Sequence, residues 1–321
     1  MVPPLIGIAR LAAGSLSLET KRRVEYKALP VRSYLARCDS ERLPFRWTIN
    51  PYRGCEFGCK YCYARYTHEF MELHQSEDFE TQIFAKQFNP ELFRRELRRL
   101  PVGESIALGT ATDPYQPAER RYGVTRQMLE VFARIQGLRL GITTKSDLVR
   151  RDLDLLVEVA RRHYLSIHMT VTTVDADLAR LTEPLAPRPE LRFDAVRHLS
   201  RAGLRVVISC APVMPLINDG QAAFDALAKA AREAGAAGIW ANVLFLKPCA
   251  SRVFLPFVLQ QFPHLFRRYE ERYGQSAYLR GSYPDMVRER MAKSRRLHGF
   301  PEQAAPPEPE LWPNEAQMKM F

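Results

Sequence analysis

An alternation of strand-length apolar runs with helical segments is the feature that most constrains the fold of this 321-residue chain. Strands that alternate with helices build a parallel sheet with the helices packed outside it. Six such units are too few for a closed eight-unit barrel. We therefore predict an α/β fold, an open (β/α)6 partial barrel, whose strands occupy residues 46–50, 105–109, 138–143, 165–171, 204–210 and 239–245.

Helix signals fall between these runs. Asn89 and Pro90 are a cap and a first-turn proline, which start a helix well. Thr125 precedes a second helix, and Gly137 follows it. The helical patterns cover residues 90–100, 126–136, 152–163, 190–201 and 221–234, and a short extra strand at 80–85 interrupts the first crossover.

Composition divides the chain into a barrel and its flanks. Residues 1–45 have weak periodicity and are expected to form an N-terminal extension that packs on the barrel of residues 46–250. Residues 251–300 predict a helical cover, with helices at 254–273 and 283–298. The proline- and glutamate-rich residues 301–321 predict an extended or disordered tail.

The charge balance of +11, with an isoelectric point near 9.5, favours a polyanionic partner such as nucleic acid. The alternative is that the arginines are only solvated helix faces, because pairs such as Arg94–Arg95 and Arg267–Arg268 fall in helical segments. In the C-terminal helices, basic and aromatic residues interleave, but acidic residues are mixed in. A polyanion site and an ordinary amphipathic cover both remain open there.

The N-terminus and the cysteines indicate the compartment. The first residues lack a basic segment, Arg10 interrupts their apolar run, and no run approaches the length of a membrane span. We therefore expect a cytoplasmic protein with no membrane partner. Three of the six cysteines crowd into residues 55–62, which indicates metal binding or chemistry rather than a disulfide framework.

The three clustered cysteines, Cys55, Cys59 and Cys62, have the spacing C-x3-C-x2-C. Thiolates are the usual ligands of iron–sulfur clusters. Three of them on one loop grip three irons of a cubane and leave the fourth open to a chelating substrate. Gly54 and Gly58 allow the loop to curl, and the nearby positive charges of Arg53, Lys60 and Arg65 suit an anionic centre. The spacing therefore predicts a 4Fe–4S cluster at the carboxyl end of the first strand.

Two other interpretations of the cysteines remain. A structural zinc ion takes four ligands, and His68 or His74 would have to supply the fourth, although the usual paired C-x2-C spacing is absent. The cysteines could also be buried free thiols clustered by chance, but this does not account for the glycines and aromatics around them.

The motifs NPYRGCEFGCKYCYAR, GTATDPYQPAE, ITTKS and APVMPLIND resemble the radical S-adenosylmethionine (SAM) superfamily, and within it the spore photoproduct lyase-related branch, which is DNA repair photolyase-like. The resemblance covers residues 46–250. It implies that SAM chelates the open iron and that one electron cleaves it to a 5′-deoxyadenosyl radical. That radical then takes a hydrogen atom from the substrate. It also implies an electron donor such as flavodoxin or ferredoxin.

The resemblance further implies which residues contact SAM. The backbone of Tyr61, the ring of Tyr63 and the backbone of Ala211 should meet the adenine, Thr110 the methionyl ammonium and Lys145 the carboxylate. As alternatives, the tyrosines are ordinary rim aromatics and Lys145 is a solvated loop lysine.

Polar residues alternate along the fourth strand, which suggests a lumen that holds ligand. Thr170 and Thr172 are candidates for SAM contacts. Function and a hydrogen-bonded structural role are equally open for His168, as are function and a plain turn for Asp113. For Asn218 and Asp219 we favour a helix cap over a substrate contact. Asn242 lies on the sixth strand.

One departure from the branch limits the substrate. Spore photoproduct lyase carries a cysteine on the second-strand segment that returns a hydrogen atom to the product, and residues 104–121 contain none. Cys210 or Cys249 could face the lumen instead, or be small buried apolar residues. Photoproduct repair is therefore not expected. The remaining hypotheses are a radical SAM enzyme acting on DNA, one modifying RNA, a peptide or a small molecule, and a non-catalytic iron–sulfur or zinc protein.

Overall fold

The computed structural model describes residues 5–21, 23–40 and 43–301. The strands in these ranges are β1 Leu16–Lys21, β2 Val24–Leu29, β3 Leu35–Arg37, β4 Trp47–Ile49, β5 Tyr52–Arg53, β6 Gln82–Lys86, β7 Ser105–Leu108, β8 Arg139–Thr144, β9 Tyr164–Thr170, β10 Val206–Val213 and β11 Gly238–Val243. The helices are α1 Gly7–Ala13, α2 Tyr66–Glu69, α3 Asp78–Thr81, α4 Pro90–Leu97, α5 Glu119–Tyr122, α6 Val124–Phe132, α7 Leu153–Arg162, α8 Ala176–Thr182, α9 Pro189–Arg201, α10 Gln221–Glu233, α11 Pro248–Gln261, α12 Phe266–Tyr273 and α13 Ser282–Leu297. Short 3-10 turns cover Tyr63–Arg65, Asp147–Asp152 and Pro263–Leu265.

The larger sheet has the order β11-β10-β9-β8-β7-β4-β3. From β4 to β11 every neighbouring pair is parallel, and each strand follows its neighbour in chain order. The edges are β11 and β3, and β3 pairs antiparallel to β4. This topology confirms the predicted open (β/α)6 partial barrel.

The two faces of this sheet differ in chemistry. One face carries fully buried aliphatic side chains, such as Ile167 and Ile208, which join the main core under the helices. The opposite face carries small or polar residues, such as Thr143, His168 and Ser209. Because side chains alternate across a strand, the second face lines the lumen of the partial barrel.

Most predicted elements are present, with ends shifted by a few residues. Asn89 caps α4, since its side chain accepts a hydrogen bond from Leu92 N at 3.0 Å. The prediction for α6 is less accurate because the helix begins after Gly123 rather than at a Thr125 cap. The hydroxyl of Thr125 donates instead to the carbonyl of Pro114, at 2.5 Å.

The predicted helix at 254–273 is divided in the structure. Pro263 has no backbone N–H to donate, and the chain turns there between α11 and α12. The last helix, α13, packs against α10 and β11. The side chain of Gln221 in α10 donates to the hydroxyl of Ser294 in α13 at 2.8 Å.

The N-terminal extension contains strands that periodicity did not indicate. β1 and β2 form a hairpin, and β2 pairs parallel to β6 in a second sheet of order β1-β2-β6-β5. The extra strand expected at 80–85 is β6, slightly later in the chain. The predicted tail lies outside the described residues beyond Pro301. Among the helices of the described ranges, none is long and apolar enough to cross a membrane.

Candidate functional site

The cysteine loop, residues 54–62, leaves the second sheet at β5. Gly54 begins it with φ 81°, in the left-handed region that favours glycine. A Cβ at this position would lie 2.8 Å from Gln82 O and 2.9 Å from Phe79 O, so no other residue fits without moving backbone. The cysteine loop is therefore pressed against the start of β6.

Backbone hydrogen bonds hold the cysteine loop from two sides. Cys55 N donates to Phe79 O at 2.8 Å, which ties the loop to the chain before β6. On the other side, Lys60 N donates to Thr182 O at 2.9 Å, and Leu185 N donates to Phe57 O at 3.2 Å. The end of α8 and the segment that follows it thus support the middle of the cysteine loop.

A buried glutamine clamps the start of the cysteine loop. Gln116 is fully buried, and its side-chain oxygen accepts from Glu56 N at 3.1 Å. Its side-chain nitrogen donates to Gly54 O at 2.9 Å and to Thr112 Oγ1 at 2.8 Å. Sequence reasoning did not single out Gln116, although it lies in the motif GTATDPYQPAE, where its position one turn after Asp113 was the available signal.

The three thiols are free, and Cys55 and Cys59 are buried. Burial raises the pKa of all three, to about 12 for Cys59. Cys59 and Cys62 further raise the pKa of Cys55. Lys145 lowers the pKa of Cys59 and of Cys62. Close thiols beside a cation are a donor set that suits an anionic iron–sulfur cluster.

The two histidines proposed as a fourth zinc ligand are engaged elsewhere. His68 Nε2 lies 3.0 Å from Gln82 O, and His74 Nε2 lies 3.1 Å from the carboxylate of Glu72. In the described part of the chain, no three His, Cys, Asp or Glu side chains are grouped to hold a single metal ion. A cubane binds each cysteine at a different iron, so its ligands need no common point.

Of the three basic residues predicted near the cysteine loop, Arg65 hydrogen-bonds to the loop backbone through its side chain. Its guanidinium is buried, pairs with Glu80 and donates to Cys59 O at 3.1 Å. Arg53 and Lys60 are partly buried. The pKa of Arg65 is lowered by burial but raised by Glu80, and the net shift is upward, so this side chain stays charged.

Tyr61 and Tyr63 face different surroundings. Tyr61 is buried, its hydroxyl donates to Glu183, and Lys145 Nζ lies 5.6 Å from its ring centroid. Tyr63 is 39% exposed, and its hydroxyl donates to the carbonyl of Thr110. The ring of Tyr63 is therefore at the rim beside Thr110, where it is open to a ligand, whereas the side chain of Tyr61 points into the protein.

The loop after β7 brings Thr110 beside β4, the first strand of the parallel sheet. Its hydroxyl hydrogen-bonds to Thr48 and accepts from Asn50 Nδ2 at 3.2 Å. Asp113 accepts from Thr144 Oγ1 and from Lys145 N, both at 2.7 Å. Asp113 thus joins the loops that follow β7 and β8, and it also accepts from Tyr115 N at 2.9 Å.

The ion pair of Glu183 and Arg192 lies among the predicted SAM contacts and was not found from the sequence. Thr172 Oγ1 donates to Glu183 at 3.3 Å, and Arg192 Nη1 donates to Thr170 O at 3.0 Å. Neither residue falls in the quoted motifs, and no local pattern marks them as partners. Lys145 is partly buried close to this pair.

The remaining candidates are distributed around the lumen and the core. Ala211 is partly buried near the end of β10, and Asn242 is exposed. Cys210 is fully buried, with Sγ 3.7 Å from Thr172 O. His168 faces the lumen, 6.5 Å from Trp240 between ring centroids, and its Nδ1 has no hydrogen-bond partner in residues 43–301 or the other described ranges.

The cap predicted at Asn218 and Asp219 is wrong. Gly220 is the N-cap of α10 and offers no side-chain bond. Asn218 instead accepts from Met214 N at 2.6 Å and donates to Thr172 O at 2.9 Å. Asp219 accepts from the hydroxyl of Tyr283 at 2.7 Å, since α13 lies over this turn.

Cys249 begins the helical cover. It is buried in the first turn of α11, and its Sγ lies 3.7 Å from Tyr63 O. The thiol therefore lies against the backbone of the residue that follows the cysteine loop.

Comparison with known proteins agrees with this architecture. The model of the Radical SAM superfamily matches residues 49–231. An uncharacterised protein of Mycobacterium tuberculosis, Rv2578c, is 38% identical over 272 residues, 84% of this chain and 79% of that protein. An uncharacterised protein of Methanocaldococcus jannaschii, MJ0683, is 28% identical over 174 residues, 54% of this chain and 62% of that protein.

Among solved structures, spore photoproduct lyase complexed with dinucleoside spore photoproduct has a TM-score of 0.62 and 15% identity, over 84% of this chain and 79% of that one. At this identity the likeness is one of fold. The family match spans more than half of the chain and contains the cysteine loop, α8 and the strands from β5 to β10. This chain therefore belongs to the radical SAM superfamily of enzymes.

Proposed function

We propose that this enzyme holds a 4Fe–4S cluster on Cys55, Cys59 and Cys62 and cleaves SAM with it. The observation that carries the proposal is that three free cysteines share one short loop, which hydrogen-bonds to Thr182 and lies inside the segment matched to the superfamily. The bound cluster would supply the electron that splits SAM into methionine and a 5′-deoxyadenosyl radical, which abstracts hydrogen from the substrate.

The residues around the cysteine loop would bind and orient SAM. Lys145 supplies a positive charge for the SAM carboxylate, and Thr110 supplies a hydroxyl for its ammonium group. The Tyr61 backbone, the Tyr63 ring and the Ala211 backbone would meet the adenine. Thr170 and Thr172 border this space at the end of β9, where the Thr172 hydroxyl supports Glu183. A flavodoxin- or ferredoxin-type protein is the proposed electron donor.

Nucleic acid is the substrate class that we propose. Aromatic rings line the rim next to the cysteine loop: Phe245 stacks on Tyr278 at 4.2 Å and lies 5.9 Å from Tyr63. Lys247 Nζ lies 3.7 Å from the ring centroid of Tyr66. Aromatic faces with interleaved cations suit stacked bases and a phosphate backbone, in line with the net charge of +11.

SAM cleavage is tested with the anaerobically reconstituted protein. After addition of dithionite and SAM, 5′-deoxyadenosine is quantified by mass spectrometry, in the presence and absence of nucleic acid. We expect it from the wild type and from Cys38→Ala, whose cysteine is outside the loop, and none from the triple Cys55→Ala/Cys59→Ala/Cys62→Ala variant. A cluster-loaded wild type that shows neither 5′-deoxyadenosine nor any effect of SAM on its EPR spectrum would contradict the proposal.

Substrate class is tested separately by binding of fluorescent single-stranded and duplex DNA at several salt concentrations. We expect an affinity that falls steeply with salt and a loss of about tenfold in Phe245→Ala, since stacking of one base contributes roughly 1–3 kcal/mol. Leu259→Ala, an exposed apolar side chain on α11, serves as the matched control. SAM cleavage without measurable DNA affinity would favour an RNA, peptide or small-molecule substrate.

A further inference from the structure

A buried triad of Tyr61, Glu183 and Arg192 lies under the cysteine loop. Glu183 and Arg192 are each 1% exposed, and Nη2 of the arginine is 2.5 Å from Oε2 of the glutamate. Removing two charges from water costs several kcal/mol per ion, which their attraction does not always recover. Stability alone is thus a weak reason for this pair at this place.

Arg192 is held rigidly. Beyond the ion pair, its Nη1 donates to Thr170 O at 3.0 Å and its Nε donates to Pro187 O at 2.8 Å. The guanidinium therefore bridges the end of β9 and the chain that leads into α9. A fixed cation in turn fixes the carboxylate of Glu183.

Glu183 links the rigidly held Arg192 to the cysteine loop. Its Oε1 accepts a hydrogen bond from the hydroxyl of Tyr61, the residue immediately before Cys62. The adjacent Thr182 accepts the backbone N–H of Lys60 at 2.9 Å. The loop between Cys59 and Cys62 is thus bonded to two consecutive residues, through a backbone carbonyl and a buried carboxylate.

The triad also acts through charge. Burial raises the pKa of Glu183, but Arg192 and Lys145 lower it, and the net shift is downward. Burial lowers the pKa of Lys145, whereas Cys59 and Glu183 raise it, and the net shift is upward. Glu183 thus keeps its negative charge in contact with Arg192, and Lys145 keeps its positive charge above the ring of Tyr61.

Resting on the proposed function, we infer that Glu183 is a positioning residue of the cluster site. Its carboxylate orients Tyr61 and Lys145 toward SAM, and its fixed negative charge under the cysteine loop keeps the reduction potential of the cluster low. The physical reason is that the charge and hydrogen bonds around an iron–sulfur cluster set its potential, and a nearby anion opposes the addition of an electron.

The test compares Glu183→Gln with Glu119→Gln in the reconstituted full-length protein. Glu119 is the matched control, because it is fully buried and bonded to a tyrosine and an arginine, Tyr52 and Arg151. Midpoint potential is measured by anaerobic redox titration with EPR, and SAM affinity by the change that SAM causes in the EPR spectrum. For Glu183→Gln we expect a positive shift of the potential and about tenfold weaker SAM binding. For Glu119→Gln we expect the wild-type values.

The outcomes separate the two proposals. A wild type that binds no cluster overturns both. A wild type with cluster and SAM response, together with an unchanged potential and SAM affinity in Glu183→Gln, overturns only the inference about Glu183. If Glu183→Gln does not fold, the Tyr61→Phe and Arg192→Lys variants test the inference about Glu183 instead. We expect Tyr61→Phe to weaken SAM binding several-fold and Arg192→Lys to keep the wild-type potential, and failure of both expectations overturns the inference.

Discussion

Two buried tyrosine–glutamate–arginine triads in this protein use the same chemistry in different places. Tyr61 and Arg192 bind Glu183 under the cysteine loop, and Tyr52 and Arg151 bind Glu119 at the start of α5. Each carboxylate is at most 1% exposed. The arginines differ, since the side chain of Arg192 is 1% exposed and that of Arg151 is 30% exposed.

The partners of the two carboxylates show what each triad does. Glu119 also accepts the backbone N–H groups of Thr125 at 2.8 Å and Arg126 at 3.1 Å, which begin α6. Backbone groups at a helix start need such acceptors, so this triad completes the fold. Glu183 is bonded to side chains instead. Lys145 lowers the pKa of Glu183, and Glu183 raises the pKa of Cys59. A buried triad therefore indicates a functional site only through its neighbours.

Removal of the arginine is expected to have the largest effect and to affect the two triads differently. Arg192→Met leaves Glu183 buried without its cation, and we expect a loss of about 3–5 kcal/mol of unfolding free energy. Arg151→Met should lose only about 1–2 kcal/mol, because that arginine is partly solvated and Glu119 keeps its tyrosine and backbone donors. Urea unfolding of the reconstituted proteins under anaerobic conditions measures both. Equal losses would show that the two arginines do not differ in this way.

Removal of the tyrosine hydroxyl should lower the stability of both triads by a similar amount but change the SAM response of only one. Tyr61→Phe and Tyr52→Phe each delete one hydrogen bond to a buried carboxylate, and we expect each to lose about 1–2 kcal/mol of unfolding free energy. Only Tyr61→Phe should change the effect of SAM on the EPR spectrum of the reduced cluster. A spectral change of the same size in Tyr52→Phe would remove the distinction between the triads.

The smallest effect is expected from the threonines beside each triad. Thr172→Val deletes a bond of 3.3 Å to Glu183, and we expect a change below about 0.5 kcal/mol. Thr125→Val deletes a buried bond of 2.5 Å to Pro114 O and should lose about 1 kcal/mol, since that carbonyl is left without its side-chain partner. Urea midpoints of the two variants provide the measurement. A larger loss for Thr172→Val would mean that the Glu183 triad depends on this hydroxyl.

Local signals in the sequence predicted the parts of the fold that depend on neighbouring residues. The strand ends from β7 to β11 lie within a few residues of the predicted ones, because a buried strand has a continuous apolar run. The division of the C-terminal helix at Pro263 had a local signal too, which the helical pattern outweighed. The local signal for the hairpin of β1 and β2 was weaker, because β2 is stabilised by its pairing with β6, which lies far along the chain.

The cysteine spacing, the order of the parallel strands and the family could be predicted from the sequence, because each depends on residues that are close together in the chain. The side chains that surround the cysteine loop could not, because they come from distant parts of the chain. Tyr61 and Glu183 are 122 positions apart, and the Glu56–Gln116 bond spans 60. Such pairs form when parallel strands bring the loops at their carboxyl ends to one edge of the sheet, and no local pattern records which polar residues then meet.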